Sequence, residues 1–166
     1  MDGERVKDSP NRVNVLLDTS ALFAGIWSET GGARVILKLG ESGAVSLWIG
    51  PQVLQEIDSV VRKKAPEAMG FLALLLDRCG FRVCQAAAAD LLERTRTLVK
   101  HPGDALVLAE AWTEGMDYFV TLDEKHFLKD AVLRKSIPFI LGSPGDFLSW
   151  YRQRLVCETG SRSAKT

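Results

Sequence analysis

The sequence predicts a single α/β domain with a central, mostly parallel sheet of about five strands and helices on both faces. Short apolar runs typical of buried strands alternate with helical patterns, which is the order that β-α-β crossovers produce. Two of these apolar runs end directly on an aspartate. The length of 166 residues suits one domain, and 46% hydrophobic with 25% charged residues is ordinary for a globular protein.

The first half of the chain begins with a predicted strand that is buried on both faces. VNVLL, residues 13–17, is largely apolar, and Asp18 follows it directly. GGARVILKLGESG favours a short helix over about 33–39, and AVSLWIG favours a second strand that ends near Ile49. Pro51 suits the first turn of the next helix, in which apolar residues recur at the spacing of one helical face.

The second half continues the alternation of helices and strands. Pro66 introduces another helix, EAMGFLALLLDRC, and FRVC is the third candidate strand. The alanine run at 86–89 is predicted to be helical together with DLLERTRTLVK, up to His101. The next helix is predicted from Asp104 to a C-terminal Gly115. YFVTL predicts the fourth strand, KHFLKDAVLR a short helical segment, SIPFIL the fifth strand and SPGDFLSWYRQR the last helix.

The ends of the chain differ in composition from its centre. Residues 1–12 are predicted to be a flexible lead and 158–166 a flexible tail, with the domain over 13–157. The polar N-terminus is unlike a signal peptide, and no apolar run is long enough to cross a bilayer. We therefore expect a cytoplasmic protein with no membrane association.

The composition restricts the classes of site. The sequence has 21 basic residues (Lys plus Arg) and 21 acidic residues (Asp plus Glu), so bulk positive charge does not drive nucleic-acid binding. This balance does not exclude a local basic groove. The three cysteines form an odd set without the spacing of a zinc site, and we expect reduced thiols.

Four acidic residues stand out by their positions. Asp18 and Asp123 directly follow the first and fourth strands, whose carboxyl ends can meet at one edge of a parallel sheet. Asp104 opens a helix whose next residues, 105–109, are apolar all round, and Glu56 lies at the border of the buried face of the Pro51 helix. Each alone is better explained by capping or by an ordinary surface position. Together they predict a carboxylate cluster that a hard divalent cation, Mg²⁺ or Mn²⁺, would neutralise.

Five motifs occur in order over about residues 13 to 149: LLDTSALFAG, GPQVLQEIDSVVRK, HPGDALVLAEA, YFVTLDEKHF and IPFILGSPGDFL. They resemble the motifs of the PIN domain, the fold of the VapC-like toxin ribonucleases. The closing SPGDFL resembles a branch described as toxin components of toxin–antitoxin systems. The resemblance implies a metal-dependent endoribonuclease that hydrolyses phosphodiester bonds of single-stranded RNA with Mg²⁺ or Mn²⁺. It also implies a homodimer and a cognate antitoxin protein as a partner.

The resemblance carries over to individual residues. It implies catalytic and metal-binding roles for four acids: Asp18, Glu56, Asp104 and Asp123. It implies that the hydroxyls of Ser20 and Thr121 support these acids.

Contacts with RNA are the least specific expectation. Candidate basic residues are Arg34, Lys38, Arg94, Arg96, Lys100, Lys125 and Lys129. Arg94 and Lys100 are the better candidates because they lie in the helix before Asp104, whereas most of the others suit solvated helix faces. Trp27 could stack on a base, although packing or a dimer interface explains it equally well.

Other functions fit the sequence less well. A catalytically silent PIN-like module that binds RNA or protein is the alternative, and it predicts degraded acids, whereas all four are present. A haloacid-dehalogenase-type phosphatase needs an aspartate where this chain has Ser20. The glycine fingerprint of a dinucleotide-binding fold and the G-K-[ST] sequence of a P-loop are both absent from the sequence.

Overall fold

A computed structural model describes residues 12–163, so nearly all of the predicted lead over 1–12 lies outside the described residues. Within this range the predicted α/β class is confirmed, with one parallel five-stranded sheet in the order β3-β2-β1-β4-β5. The strands are β1 Asn14–Leu17, β2 Ser46–Ile49, β3 Arg82–Val83, β4 Tyr118–Val120 and β5 Ile140–Gly142.

Eight α-helices connect or follow these strands in the described part of the chain. They are α1 Thr19–Trp27, α2 Gly32–Glu41, α3 Pro51–Lys64, α4 Met69–Arg78, α5 Ala89–Leu98, α6 Pro102–Thr113, α7 Ala131–Ser136 and α8 Pro144–Ser163. A 3₁₀ turn, Pro66–Ala68, precedes α4, and one π-helical turn, Glu124–Leu128, follows β4. None of the helices described over 12–163 is both long and apolar enough to traverse a bilayer.

The central strand β1 is the point where the strand order reverses. Val15 pairs with Leu47 of β2 on one side and with Tyr118 of β4 on the other. The backbone N–H of Asp18 extends this pairing by donating to the carbonyl of Val120 at 3.1 Å. The segments that follow β1 and β4 therefore leave the sheet side by side, at the position where open α/β sheets place their ligands.

The sequences of the central strands are nearly continuous apolar runs because these strands lie in the core. Leu16 in β1 and Phe119 in β4 are completely buried, because helices cover both faces of the sheet. On one side, Phe147 of α8 packs edge-on against Tyr118 at a ring-centroid distance of 5.0 Å, and Trp150 lies 5.2 Å from the same ring. The last helix is thereby fixed against the strand that leads to Asp123.

Two helices begin at different residues from those predicted. Helix α5 starts at Ala89 rather than at residue 86, because residues 85–88 are held against the end of α6. There the N–H of Gln85 donates to Glu114 at 2.6 Å, and that of Ala88 donates to Thr113 at 2.9 Å. These tertiary hydrogen bonds override the helical propensity of the alanine run.

Helix α6 starts at Pro102, not at Asp104. Proline suits this first helical position since its missing N–H would have no intrahelical partner there. Asp104 is therefore the third residue of the helix and still lies in its first turn, where its charge is favourable with the helix dipole.

The C-terminal boundary also differs from the prediction. Helix α8 continues to Ser163, so residues 158–163 are helical where a flexible tail was expected, and residues 164–166 lie outside the described range. Arg154 and Glu158 form an ion pair at 3.2 Å with i,i+4 spacing, which supports the helix across the predicted boundary.

Candidate active site

One cleft at the carboxyl edge of the sheet is lined by all four acids that the sequence distinguishes. Its volume is about 190 Å³. Its lining includes Asp18, Glu56, Asp104 and Asp123, with Ser20 and His101 beside them. The four carboxylates come from the end of β1, from α3, from α6 and from the turn after β4, so that four separate segments must fold together to form the cleft.

Asp18 is the most buried of the four, with 8% of its surface exposed. It is the N-cap of α1, and its Oδ1 accepts from the N–H of Ala21 at 2.9 Å and from the hydroxyl of Ser20 at 2.7 Å. Its Oδ2 accepts from the hydroxyl of Thr121. Burial raises the pKa of Asp18 above its ordinary value, and the three hydrogen bonds only partly oppose this rise. Asp18 therefore caps a helix and faces the cleft at the same time.

The hydroxyls of Ser20 and Thr121 join the first acid to the loop after β4. The Ser20 hydroxyl accepts from the N–H of Leu122 at 3.0 Å, and the Thr121 hydroxyl accepts from the N–H of Asp123 at 3.0 Å. Because each oxygen already accepts from an amide, each hydroxyl hydrogen is directed at Asp18. This network fixes the rotamer of the Asp18 carboxylate.

Asp104 lies between two histidines. The Nδ1 atoms of His101 and His126 are 3.8 and 3.5 Å from its carboxylate, and the two rings are parallel to within 7° at a centroid distance of 6.5 Å. Desolvation raises the pKa of Asp104, the two imidazoles lower it, and the charges of Asp123 and Glu56 raise it further. The net direction is upward, as expected for a carboxylate that shares a cleft with other acids.

His126 also contacts the fourth acid. Its Nδ1 is 3.0 Å from Oδ2 of Asp123, while its backbone N–H donates to Oδ1 of the same residue at 2.9 Å. The imidazole thus lies between the carboxylates of Asp104 and Asp123. When protonated, it neutralises part of the charge of the cleft.

Glu56 is the most exposed of the acids and is held by a residue that the motifs leave unassigned. The hydroxyl of Thr19 donates to Oε2 of Glu56, and both residues line the cleft. Thr19 is the first residue of α1, so the helix capped by Asp18 also positions the acid on α3. A hydroxyl residue directly after the first acid was the only sequence signal for this contact.

Glu110 is a further acid that the sequence analysis did not single out. It is 2% exposed on α6, and its Oε2 has no hydrogen-bond partner among the described residues. Burial raises its pKa to about 7. Glu110 lines a second cavity, of about 680 Å³, which shares Thr19 and Glu56 with the acidic cleft. The signal for it was a carboxylate flanked by apolar residues beyond the first turn of the helix.

The residues predicted to contact RNA lie at different distances from the cleft. Lys100 lines a third cavity, which shares His101 and Asp104 with the acidic cleft. The guanidinium of Arg94 lies over the ring of Trp112 at 4.9 Å. Trp27 is 55% exposed and packs on Phe23 at 5.4 Å. In the part of the chain described, neither Arg94 nor Trp27 belongs to the lining of these three cavities.

The donor set of the cleft fits a hard divalent cation, because its ligands are carboxylate oxygens and it contains no thiol. Over residues 12–163, no three His, Cys, Asp or Glu side chains already converge as the ligands of one ion. His126 lies between two of the acids instead. A metal ion in this cleft would therefore require side-chain movement.

Comparison with known proteins agrees with this architecture. A family model described as PIN domain matches residues 14–125. A comparison with curated proteins found no significant match.

Solved structures similar to this chain share its fold at low sequence identity. VapBC2 from Rickettsia felis, bound to a DNA fragment from their promoter, has a TM-score of 0.58 at 22% identity over 78% of this chain and 97% of that chain. DNA-bound VapBC from Salmonella typhimurium has a TM-score of 0.57 at 19% identity over 79% and 97% of the two chains. PAE2754 from Pyrobaculum aerophilum has a TM-score of 0.55 at 19% identity over 82% and 94%. Since the family model spans most of the chain and the fold agrees, the chain belongs to the PIN domain family, as its five motifs predict.

Proposed function

We propose that this protein is a metal-dependent endoribonuclease that hydrolyses phosphodiester bonds of single-stranded RNA, as the toxin of a toxin–antitoxin pair in the cytoplasm. The observation that carries the proposal is the convergence of Asp18, Glu56, Asp104 and Asp123 on one cleft. A structural role alone does not account for four carboxylates in one cleft, because their mutual repulsion and desolvation destabilise the metal-free fold.

The four acids would hold Mg²⁺ or Mn²⁺. Asp18 and Asp104 are the central ligands in this proposal, since both carboxylates line the cleft and both are partly or wholly desolvated there. When bound, the metal supplies polarisation of a phosphate oxygen and a lowered pKa of a coordinated water.

The chain itself supplies the positioning. Ser20 and Thr121 hold the Asp18 carboxylate in one orientation, and Thr19 holds Glu56 toward the cleft. Glu56 and Asp123 would bind a second metal ion or orient the water that attacks the phosphate. Hydrolysis in this arrangement depends on placing groups around the phosphate rather than on a covalent nucleophile.

The partners are proposed with different degrees of structural support. Lys100 is the best supported of the predicted RNA contacts, because it lines a cavity that adjoins the acidic cleft. Arg94 and Trp27 would contact only RNA that extends beyond these cavities. The exposed Trp27, which packs on the half-buried Phe23, is equally suited to a homodimer interface. A cognate antitoxin is supported by the VapBC assemblies from Rickettsia felis and Salmonella typhimurium.

The central experiment compares cleavage of defined single-stranded RNAs by the wild type and by Asp104→Asn, with Mg²⁺, with Mn²⁺ and with a chelator. Asp90→Asn is the matched control, because Asp90 also lies in the first turn of a helix but is not part of the acidic cleft. We expect cleavage by the wild type and by Asp90→Asn only with metal, and a loss of at least about 100-fold in Asp104→Asn. RNA binding without metal-dependent cleavage by the wild type would favour the silent binding module instead.

A further inference from the structure

We propose that the cavity beside the acidic cleft, lined by Lys100, His101, Lys125 and His126, is the subsite for the RNA phosphate next to the one that is cleaved. This inference rests on the proposed function. The cavity has a volume of about 420 Å³ and adjoins the cleft at His101 and Asp104, which line both. A strand of RNA whose scissile phosphate lies in the cleft can therefore place its next phosphate here.

Two copies of the same dipeptide build the cavity. Lys100-His101 lies between α5 and α6, and Lys125-His126 lies in the π-helical turn after Asp123. The two imidazole rings stack in parallel at 6.5 Å, and both Nδ1 atoms face Asp104. Both rings line the cavity, His101 also lines the cleft, and each histidine is preceded by a lysine that lines the cavity.

The charges of these lysines are not neutralised within the described protein. Neither Lys100 nor Lys125 forms an ion pair with any residue described, whereas Lys129 in the next turn pairs with Glu124 at 2.7 Å. Of the acids in the lining, Asp104 faces the histidines, and Asp130 accepts from the N–H of Leu133 as the cap of α7. The cavity thus presents two unpaired cations.

An anion is the ligand that this arrangement selects. Ammonium groups bind phosphate as point charges, and the adjacent carboxylates would repel RNA unless nearby positive charge offset them. An acidic segment of a protein partner would meet the same lysines. RNA phosphate is favoured because the cavity shares His101 and Asp104 with the cleft in which the phosphodiester would lie.

The test is the salt dependence of RNA binding, measured in chelator so that no cleavage occurs. We would titrate a labelled single-stranded RNA by fluorescence anisotropy between about 50 and 300 mM salt, the range over which phosphate contacts change affinity strongly. Lys100→Gln and Lys125→Gln should each reduce the slope of log K against log salt by about 0.7, and the double variant by about 1.4, because each removes one phosphate contact.

Lys129→Gln is the matched control, since Lys129 is in the same segment but is already paired and does not line the cavity. Its slope should equal that of the wild type. An unchanged slope in both single variants, or an equal loss in Lys129→Gln, would overturn the subsite even in an active nuclease. The subsite would also be rejected if the variants weakened binding of polyglutamate but not of RNA. Reduced slopes in a protein that never cleaves would keep the subsite and reject the nuclease.

Discussion

Thr121 donates its hydroxyl hydrogen to Oδ2 of Asp18, although 103 positions separate the two residues in the sequence. The hydroxyl oxygen of Thr121 accepts from the N–H of Asp123 at 3.0 Å, so the hydroxyl hydrogen is left to point at Asp18. Both partners are buried. One side chain therefore orients the first acid of the cleft and anchors the loop that carries the fourth.

Replacing this hydroxyl by a methyl group tests its role. Thr121→Val keeps the shape of the side chain but leaves Oδ2 of Asp18 and the N–H of Asp123 without their partner. We expect a loss of about 10- to 100-fold in kcat and of about 1–3 kcal/mol in the free energy of unfolding. Thr121→Ser should restore most of both. Wild-type turnover in Thr121→Val would show that the hydrogen bond has no part in catalysis.

Two acid-to-amide variants are expected to change the melting temperature of the metal-free protein in different ways. Desolvation and neighbouring carboxylates raise the pKa of Asp104, so its charge is unfavourable in the fold and Asp104→Asn should raise the melting temperature by a few degrees at pH 8. Asp18 is also desolvated, but its two oxygens accept three hydrogen bonds that an amide cannot all accept. Asp18→Asn should therefore melt at or below the wild-type temperature.

Differential scanning calorimetry in chelator measures this difference directly. Asp90→Asn serves as the control for a loss of charge at a helix start outside the cleft. A higher melting temperature for Asp18→Asn than for Asp104→Asn would mean that charge repulsion outweighs hydrogen bonding at Asp18.

Glu110 predicts a pH dependence of stability. Its pKa in the fold is raised by burial to about 7 from an ordinary 4.5, so the fold favours the protonated acid. This contribution to stability is complete below about pH 4.5 and is lost as the pH rises through 7. Between pH 5 and pH 8 the wild type should lose up to about 3 kcal/mol relative to Glu110→Gln.

Urea denaturation of the wild type and of Glu110→Gln, in chelator and at several pH values, checks this prediction. Asp18 and Asp104 are present in both proteins, so their titration cancels in the difference. Burial also raises the pKa of Cys84 near Glu110, to about 12, which keeps this thiol neutral over the range. Parallel pH profiles for the two proteins would show that Glu110 is already ionised in the fold without cost.

Gly50 and Glu110 are expected to be energetically coupled. A Cβ atom added to Gly50 would lie 2.2 Å from Oε2 of Glu110, well inside van der Waals contact. Gly50→Ala should therefore cost about 1–3 kcal/mol, because the buried carboxyl must move. In Glu110→Ala the alanine at position 50 has room, so the double variant should be more stable than the sum of the single effects by at least about 0.5 kcal/mol. Additive free energies of unfolding would contradict the contact.

The sequence predicts the strands of this fold better than its helix boundaries. Strands β1 and β4 are largely apolar on both faces, and an acid follows each, Asp18 directly after β1 and Asp123 three residues after β4. This pattern made both the strands and the acids recognisable in the sequence. The start of α5 depends on hydrogen bonds from residues 85–88 to the distant end of α6, and no local pattern contains that information. Helix α1 was not predicted, because the Thr and Ser that open it suit turns equally well.

Prediction from the sequence has the same limit at the candidate site. Which acids lie at strand ends or in a first helical turn can be derived from spacing alone, whereas the contacts between side chains cannot. The position of His126 between Asp104 and Asp123 requires the turn after β4 to pack beside the start of α6. The contact between Thr19 and Glu56 likewise depends on how α1 and α3 meet.

The order of strands in the sheet differs from the order in which the ribosome makes them. β1 is translated first but needs β4 as its neighbour, and the Asp18 N–H binds a carbonyl of that late strand. A nascent chain that stops before residue 118 carries three of the four acids but lacks Thr121 and the strand that orients the first of them. Truncated translation products of this kind should therefore lack the complete cleft, which can form only after β4 and the turn that follows it have been synthesised.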